Sequence, residues 1–385
     1  MFAASALTGL LITLAVYAHS LSSANANENN KDFTELLELI DERFIGTVDL
    51  DEITNAALRA AVESLDDDWS YYMSPEEYDL FLANSDNRYH GIGVEVKLDE
   101  DTDGMLILGV YSGSGADLAG LVIGDIVVAI DYESILGFTI EEIRLKLRRE
   151  LGDTAVLTVL RADGEYHEIT VEYSRVFRDP VSFEMLDNNI GYVWLRNFED
   201  GAGERFISAV NELKEAGAEV FIYDVRFNNG GRVGEVTKIL NFLLPEGEIF
   251  ISVDRGGVEK ITRSDASFLD MPAVVLVNGH SYSGAEYFAA MLSEYDYAPS
   301  VGEQTTGKNR MQTTIPLSNG GAVHISTGHY LTKNRISLFD TDGFTPEYIV
   351  PFDDEEDIAF FNKDEHGHYS DPQLQKALSL LQRTR

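Results

Sequence analysis

The chain has 385 residues, 44% of them hydrophobic and 25% charged, a length that at roughly 150 residues per domain accommodates two or three domains with sizeable cores. Its 66 acidic residues against 29 Lys and Arg give a formal charge of −37, which repels phosphate backbones and anionic membrane surfaces and argues against a nucleic-acid partner. There is no cysteine, so disulfides, thiolate metal sites, iron–sulfur clusters and thiol nucleophiles are excluded.

Phe2 to Leu21 is mostly apolar, and Ala24-Asn25-Ala26 has the small-x-small form of a signal-peptidase site. Residues 1–26 carry no Lys or Arg, whereas such leaders usually open on a basic region, so a trimmed leader, an uncleaved anchor and a buried N-terminal helix are all consistent with the pattern. The polar Asn27-Glu28-Asn29-Asn30 that follows favours export. From Asp32 to about Phe81 the period is helical, with Leu36, Leu37, Ile40 and Phe44 on one stripe and Ile53, Ala57, Leu58 and Ala61 on another. Ser74-Pro75-Glu76-Glu77 reads as a helix start, with Ser74 as cap, Pro75 in the first turn and Glu77 closing a capping box.

From Arg88 the pattern turns β-rich: Gly91 to Leu98, Met105 to Tyr111, Ile126 to Asp131 and Ala155 to Arg161, interrupted by helical Ala116 to Ala119 and Ile140 to Arg149. This predicts a small closed module. After Pro180 strands and helices alternate: Ile190 to Leu195, Glu204 to Ala216, Val220 to Val225, Glu235 to Leu244, Ala273 to Val277 and Ala285 to Tyr295. Such alternation predicts a sheet covered by helices. Leu317 to Tyr330 is β-like again, and Pro372-Gln373-Leu374-Gln375 opens a terminal helix with Leu378 and Leu381 on its apolar stripe.

The all-apolar run Ala273 to Val277 empties into Asn278-Gly279-His280-Ser281-Tyr282-Ser283-Gly284-Ala285-Glu286. A strand, tight turn and helix exposes a hydroxyl at the strand end and aims backbone N–H groups at the same point. Two serines compete there. With Ser281 as nucleophile, Gly279-His280-Ser281-Tyr282 is similar to the G-x-S-x-G elbow of α/β-hydrolases, but Ser283 stands where the second glycine is needed, and His324 or His329 would serve as base. With Ser283 as nucleophile the base comes from elsewhere, and Gly302-Glu303-Gln304-Thr305-Thr306-Gly307-Lys308-Asn309-Arg310-Met311-Gln312 offers a single lysine beside glycine.

These residues resemble the C-terminal processing peptidases, or tail-specific proteases, which use a serine and lysine dyad. The family block V-N-x-x-S-A-S-A-S-E is similar to Val277 through Glu286, and G-E-x-T-x-G-K-x-x-x-Q to Gly302 through Gln312. Lys308 follows Ser283 by twenty-five positions, the family's spacing, which selects Ser283. Asp224-Val225-Arg226-Phe227-Asn228-Asn229-Gly230-Gly231 resembles D-L-R-x-N-x-G-G, and Leu65-Asp66-Asp67-Asp68-Trp69-Ser70-Tyr71-Tyr72 with Ser74-Pro75-Glu76-Glu77 resembles the family's L-D-P-x-S-x-Y and P-E-E segment. The β-rich module resembles a PDZ domain through Gly91-Ile92-Gly93 and the Ala119-Gly120-Leu121, Gly124-Asp125 signature. Tyr282, Gly284, Ala285, Asn229 and Glu347 depart from the usual residues without removing a catalytic group.

The resemblance implies a multidomain α/β protein: a leader or anchor at 1–26, a helical N-terminal segment at 27–86, a PDZ module at 87–175, a crotonase-like α/β serine protease core at 176–352 and a helical tail at 353–385. It implies Ser283 as nucleophile, Lys308 as base and Gln312 as the group that orients Lys308. A lysine works as a base only when uncharged, which burial favours and a nearby carboxylate opposes, so the chain's many carboxylates are expected to be kept from Lys308. Oxyanion donors are expected from the N–H groups of Gly284 and of Gly230 or Gly231. A peptide C-terminus would be captured at His90-Gly91-Ile92-Gly93, with Arg148 taking part. The partners so implied are protein or peptide substrates with free C-termini, with room for membrane association through the N-terminus and for a homodimer, in an extracytoplasmic setting, secreted or anchored to the outer face of the cell membrane. No metal or organic cofactor is implied.

Blander readings stand beside these. Ser283 alone is a commonplace helix cap, Lys308 alone a surface lysine and Gly230-Gly231 alone a turn. Asp99-Glu100-Asp101-Thr102-Asp103-Gly104 imitates a calcium loop but has Val110 at its twelfth position, which favours a hairpin turn. His366-Gly367-His368 and the pair His324 and His329 lack ligand spacing, and the acidic Asp353 to Asp357 reads as a solvated connection. A Ser281 hydrolase with a histidine base and a non-catalytic peptide-binding scaffold are the competing functions.

Overall fold

A computed structural model of the chain describes residues 31–99, 102–139, 142–143, 146–147, 149–308, 310–351 and 371–382. The apolar leader with its Ala24-Asn25-Ala26 site, Arg148, Asp353 to Asp357 and His366-Gly367-His368 lie outside the described residues. No described helix is long and apolar enough to cross a membrane.

The architecture is mixed α/β, as the alternating pattern predicts. A central sheet of six strands runs in the order Val181–Leu186, Ile190–Leu195, Val220–Asp224, Ala273–Val277, Ser300–Gly302, Tyr348–Ile349, parallel throughout except for its first pair. Its inner strands are apolar on both faces because both are covered. Ala273, Val275 and Val277 pack with Phe221 and Tyr223 beneath the helices Ala202–Glu215, Val233–Leu243 and Gly284–Glu294. Val274 and Leu276 pack with Val220 and Ile222 against the terminal helix Pro372–Leu381. Period-two alternation along one strand thus divides two cores.

A second sheet contains Tyr71–Met73, Ala322–Leu331, Gly247–Asp254 and Glu259–Ser264, with Arg310–Pro316 also paired to Ala322–Leu331. The hairpin Gly247–Asp254 with Glu259–Ser264 and the strand Arg310–Pro316 are absent from the sequence expectation. The N-terminal part is helical over 31–43, Leu50–Glu63 and Pro75–Ser85, but Tyr71–Met73 breaks the expected helical run to pair with Ala322–His324. The Ser74–Glu77 capping box forms, Ser74 N–H donating to Glu77 Oε2 at 2.8 Å and Glu77 N–H to Ser74 Oγ at 3.3 Å.

The β-rich module has its own core, including Met105, Ile107, Val127, Leu157 and Val171. Its sheet runs Val94–Leu98, Met105–Val110, Ile126–Ile130, Thr154–Leu160, Tyr166–Glu172, which leaves Val94–Leu98 as an edge strand. The first two strands pair antiparallel, and beside them the Asp99 carboxylate accepts from Thr102 N–H and Oγ1. A two-stranded ribbon, Arg88–Gly91 with Ser174–Phe177, joins module to core.

Candidate active site

The strand Ala273–Val277 ends at the edge of one large cleft, of about 1480 Å³, lined by Ser283, Lys308, Gln312, Gly230, Gly231 and the His90 to Gly93 turn. Residues from four sequence blocks therefore meet in one place.

The two serines part company. Ser281 is fully buried; its Oγ accepts the Asn278 N–H at 3.1 Å and donates to the Val225 carbonyl at 2.8 Å. It staples two strand ends together and has no access to a substrate. Ser283 lines the cleft as N-cap of the Gly284–Glu294 helix, with φ 55° and ψ −117°. A non-glycine residue at such a φ is strained by about 1–3 kcal/mol and persists only where its surroundings over-determine it.

Gly230 and Glu286 supply that constraint. A Cβ on Gly230, itself at φ +83°, would sit 2.7 Å from Gly284 N and 2.8 Å from Ser283 Cβ, so only glycine permits this approach. The buried Glu286 carboxylate accepts from Ser283 N–H at 3.1 Å, Thr305 Oγ1 at 2.6 Å and Gly307 N–H at 2.8 Å, with a further backbone bond from Lys308. One carboxylate thus fastens the serine turn to the lysine loop. Thr306 adds bonds to the carbonyls of Gly279 and Ser281, at 3.1 and 3.3 Å.

Burial pushes the Lys308 amine below the ordinary lysine value, while Glu286 and Asp67 act in the opposite direction. The expectation that carboxylates would be kept from Lys308 is therefore not met. Burial itself pushes the Glu286 carboxyl up, against the hydrogen bonds that pull it down, and Asp67 is bonded to Ser70 and paired with Arg310 at 2.8 Å. Lys308 Nζ lies 4.3 Å from the centre of the Trp69 ring and 5.8 Å from that of Tyr282. The Tyr330 phenol donates to the Lys308 carbonyl, with Ser283 as a second side-chain partner. Trp69, Glu286 and Tyr330 are the site residues that sequence reasoning left without a role. Trp69 and Glu286 stood inside recognised blocks, whereas Tyr330 had no signal beyond its strand.

Two expected contacts are placed differently. The Gln312 amide donates to Ser326 Oγ on the adjacent strand at 3.2 Å, so cross-strand pairing gives it a partner other than Lys308. The Gly230 N–H donates to Asn228 Oδ1 at 2.8 Å, which withdraws it from an oxyanion site. Among the described residues the N–H groups of Gly231 and Gly284 make no bond within the protein. Gly231, at φ +146°, is pressed against Phe198, whose backbone bonds to Gly230 O and Arg232 N on either side. His324 also lines the cleft, bonded through Nδ1 to Thr314 Oγ1 at 2.8 Å and packed against Tyr71 and Phe81. Burial, and then the Lys308 charge, push it down to about 4. No contact joins His324 to Ser281.

The His90 to Gly93 segment, where the strand Arg88–Gly91 ends, also lines the cleft. Ile92 O accepts from Ala116 N–H at 2.8 Å and Gly93 O from Tyr111 N–H at 2.9 Å. The N–H groups of Ile92 and Gly93 make no bond among the described residues.

Residues 189–350 match the family described as Peptidase family S41. The chain is 26% identical over 368 residues to the carboxy-terminal processing protease CtpA of Bacillus subtilis, covering 94% of this chain and 78% of that protein. It is 29% identical over 336 residues to the carboxyl-terminal-processing protease of Synechocystis sp., covering 86% and 77%. A solved structure described as an S41 protease from Bacteroides fragilis shares the fold, with a TM-score of 0.62 at 19% identity over 89% of this chain and 93% of that one.

Proposed function

We propose that this chain, which matches the S41 peptidase family over residues 189–350 and is similar to carboxyl-terminal processing proteases, is an exported serine endopeptidase that cleaves proteins near free C-termini by a Ser283–Lys308 mechanism. The observation that carries this reading is Ser283, strained at φ 55° and held against Gly230, in the same cleft as a lysine whose amine burial drives toward its neutral form.

In this mechanism neutral Lys308 accepts the Ser283 hydroxyl proton as Oγ attacks the substrate carbonyl, then returns it to the leaving amine. The resulting acyl-enzyme is hydrolysed by water activated by the same amine. The developing oxyanion is taken by the N–H groups of Gly231 and Gly284. Glu286 and Tyr330 hold the serine turn and lysine loop in register, and Gln312 walls the cleft. The core is the crotonase-like unit, and the β-rich module acts as a PDZ domain: a substrate tail adds to the open edge of Val94–Leu98 while its carboxylate is captured by Ile92 and Gly93 N–H.

The test combines variants and substrate chemistry. Ser283→Ala and Lys308→Ala are each expected to lower kcat on a protein with an unstructured tail by at least about a thousandfold, with the thermal midpoint little changed. Amidating the substrate's C-terminus is expected to slow cleavage. Full activity in Lys308→Ala with loss in His324→Ala would return the role to a histidine base, and equal rates on acid and amide tails would remove carboxylate capture.

A further inference from the structure

The ribbon beside the carboxylate turn carries charge of the opposite sign to the rest of the molecule. Arg88–Gly91 pairs antiparallel with Ser174–Phe177, setting His90 directly opposite Arg175 and Arg88 opposite Phe177. Tyr89 and Val176 turn inward, so these four side chains share the exposed face. Arg88 and His90 also line the cleft, together with Lys97 of the edge strand.

Three other cleft cations are already compensated: Arg178 by Glu95 at 3.4 Å, Arg232 by Glu199 at 3.6 Å and Arg310 by Asp67 at 2.8 Å. Arg88, Lys97 and Arg175 have no acidic partner among the described residues, in a chain with 66 acidic residues available to supply one. Arg88, two residues before His90, and Arg175, directly opposite His90, are basic groups left uncompensated beside the proposed carboxylate turn, the arrangement expected where the ligand brings the missing charge.

Building on the proposed carboxylate capture, we infer that this protease selects substrates whose last few residues include Asp or Glu. The terminal carboxylate occupies the Ile92 and Gly93 N–H groups while acidic side chains meet Arg88, Arg175 and Lys97. Phe177, 53% exposed beside Arg88, offers apolar contact to a neighbouring side chain. The negative remainder of the surface repels an acidic substrate except at this face, which orients its tail toward the cleft.

The experiment measures binding of fluorescent peptides to the full chain carrying Ser283→Ala, with tails ending in Asp-Glu-Ala, Asn-Gln-Ala or Lys-Lys-Ala. The acidic tail is expected to bind about five- to tenfold more tightly than the amide-bearing tail at low salt, with the difference shrinking in about 0.5 M salt. Adding Arg88→Gln and Arg175→Gln should bring that ratio to about one, and Arg175→Glu should turn the preference toward the lysine tail. Equal binding of all three tails, or a preference that survives in the double variant, overturns the inference. Cleavage of the Asn-Gln-Ala peptide by the unaltered enzyme tests the protease reading separately, because it does not depend on tail charge.

Discussion

At the scale of single residues the proposed mechanism turns on one proton. In it Lys308 serves as a base only when uncharged, so turnover is expected to rise with pH through its pKa, which burial places below the ordinary 10.5. Asp67 stabilises the ammonium form, and Asp67→Asn is therefore expected to move the rising limb of the kcat profile to lower pH. A limb that stays put or moves upward would show that the lysine charge is set elsewhere. Ser281 carries a different prediction. Ser281→Ala leaves the buried Asn278 N–H unpaired and is expected to cost about 1–3 kcal/mol of stability, read as a lower denaturation midpoint, while kcat of the folded fraction changes far less than in Ser283→Ala. The sequence offered both serines with equal local claims to a strand-to-helix turn. Burial separates them.

At the scale of elements, one buried ion network explains why two distant motifs occur together. Asp224 ends a central strand and accepts from Tyr192 at 2.6 Å and from the Arg226 guanidinium at 2.6–3.0 Å. Arg226, fully buried, reaches Asp371 at 2.7 Å and Gln373 at 3.2 Å, the cap and first turn of the terminal helix. The Asp224 to Arg226 motif thus holds that helix against the face of the sheet that carries Val274 and Leu276. Arg226→Met leaves Asp224 buried without its cation and is expected to cost about 3–5 kcal/mol, with protection of the 372–381 amides lost first in hydrogen exchange. Uniform loss of protection would mean that the helix does not depend on this latch. The pattern of apolar residues located most of these elements to within a few residues, because burial on one or two faces writes a period into the sequence. Among the strands it missed, besides Tyr166–Glu172, Ser174–Phe177, Val181–Leu186 and Ser300–Gly302, are Gly247–Asp254, Glu259–Ser264 and Arg310–Pro316. Glu259–Ser264 and Arg310–Pro316 are largely exposed and show no apolar period; pairing with a neighbour defines all three.

At the scale of the whole molecule, the charge of −37 opposes the compact state by self-repulsion, which counterions screen. The thermal midpoint is expected to rise between about 0.02 M and 0.5 M salt, while the advantage of acidic substrate tails falls over the same range. A midpoint independent of salt would mean that the local ion pairs already neutralise the repulsion. Stability and substrate choice should therefore respond to salt in opposite directions, since one is limited by repulsion and the other depends on attraction at a basic face.

The sequence by itself determined the chemistry available: no thiol, a serine at a strand-to-helix turn, a lysine at a fixed distance along the chain, glycines where backbone must approach backbone, and the order of strands and helices around them. Tertiary structure alone decided how those parts are wired. It assigned Gln312 to Ser326 rather than to Lys308, spent the Gly230 N–H on Asn228, made Glu286 the clasp between serine and lysine, and brought Trp69 over an amine 239 positions later in the chain. Periodicity and spacing record which face of an element is buried. They carry no record of which partner arrives from a remote segment, and the partner fixes the direction of a hydrogen bond and the protonation of a base.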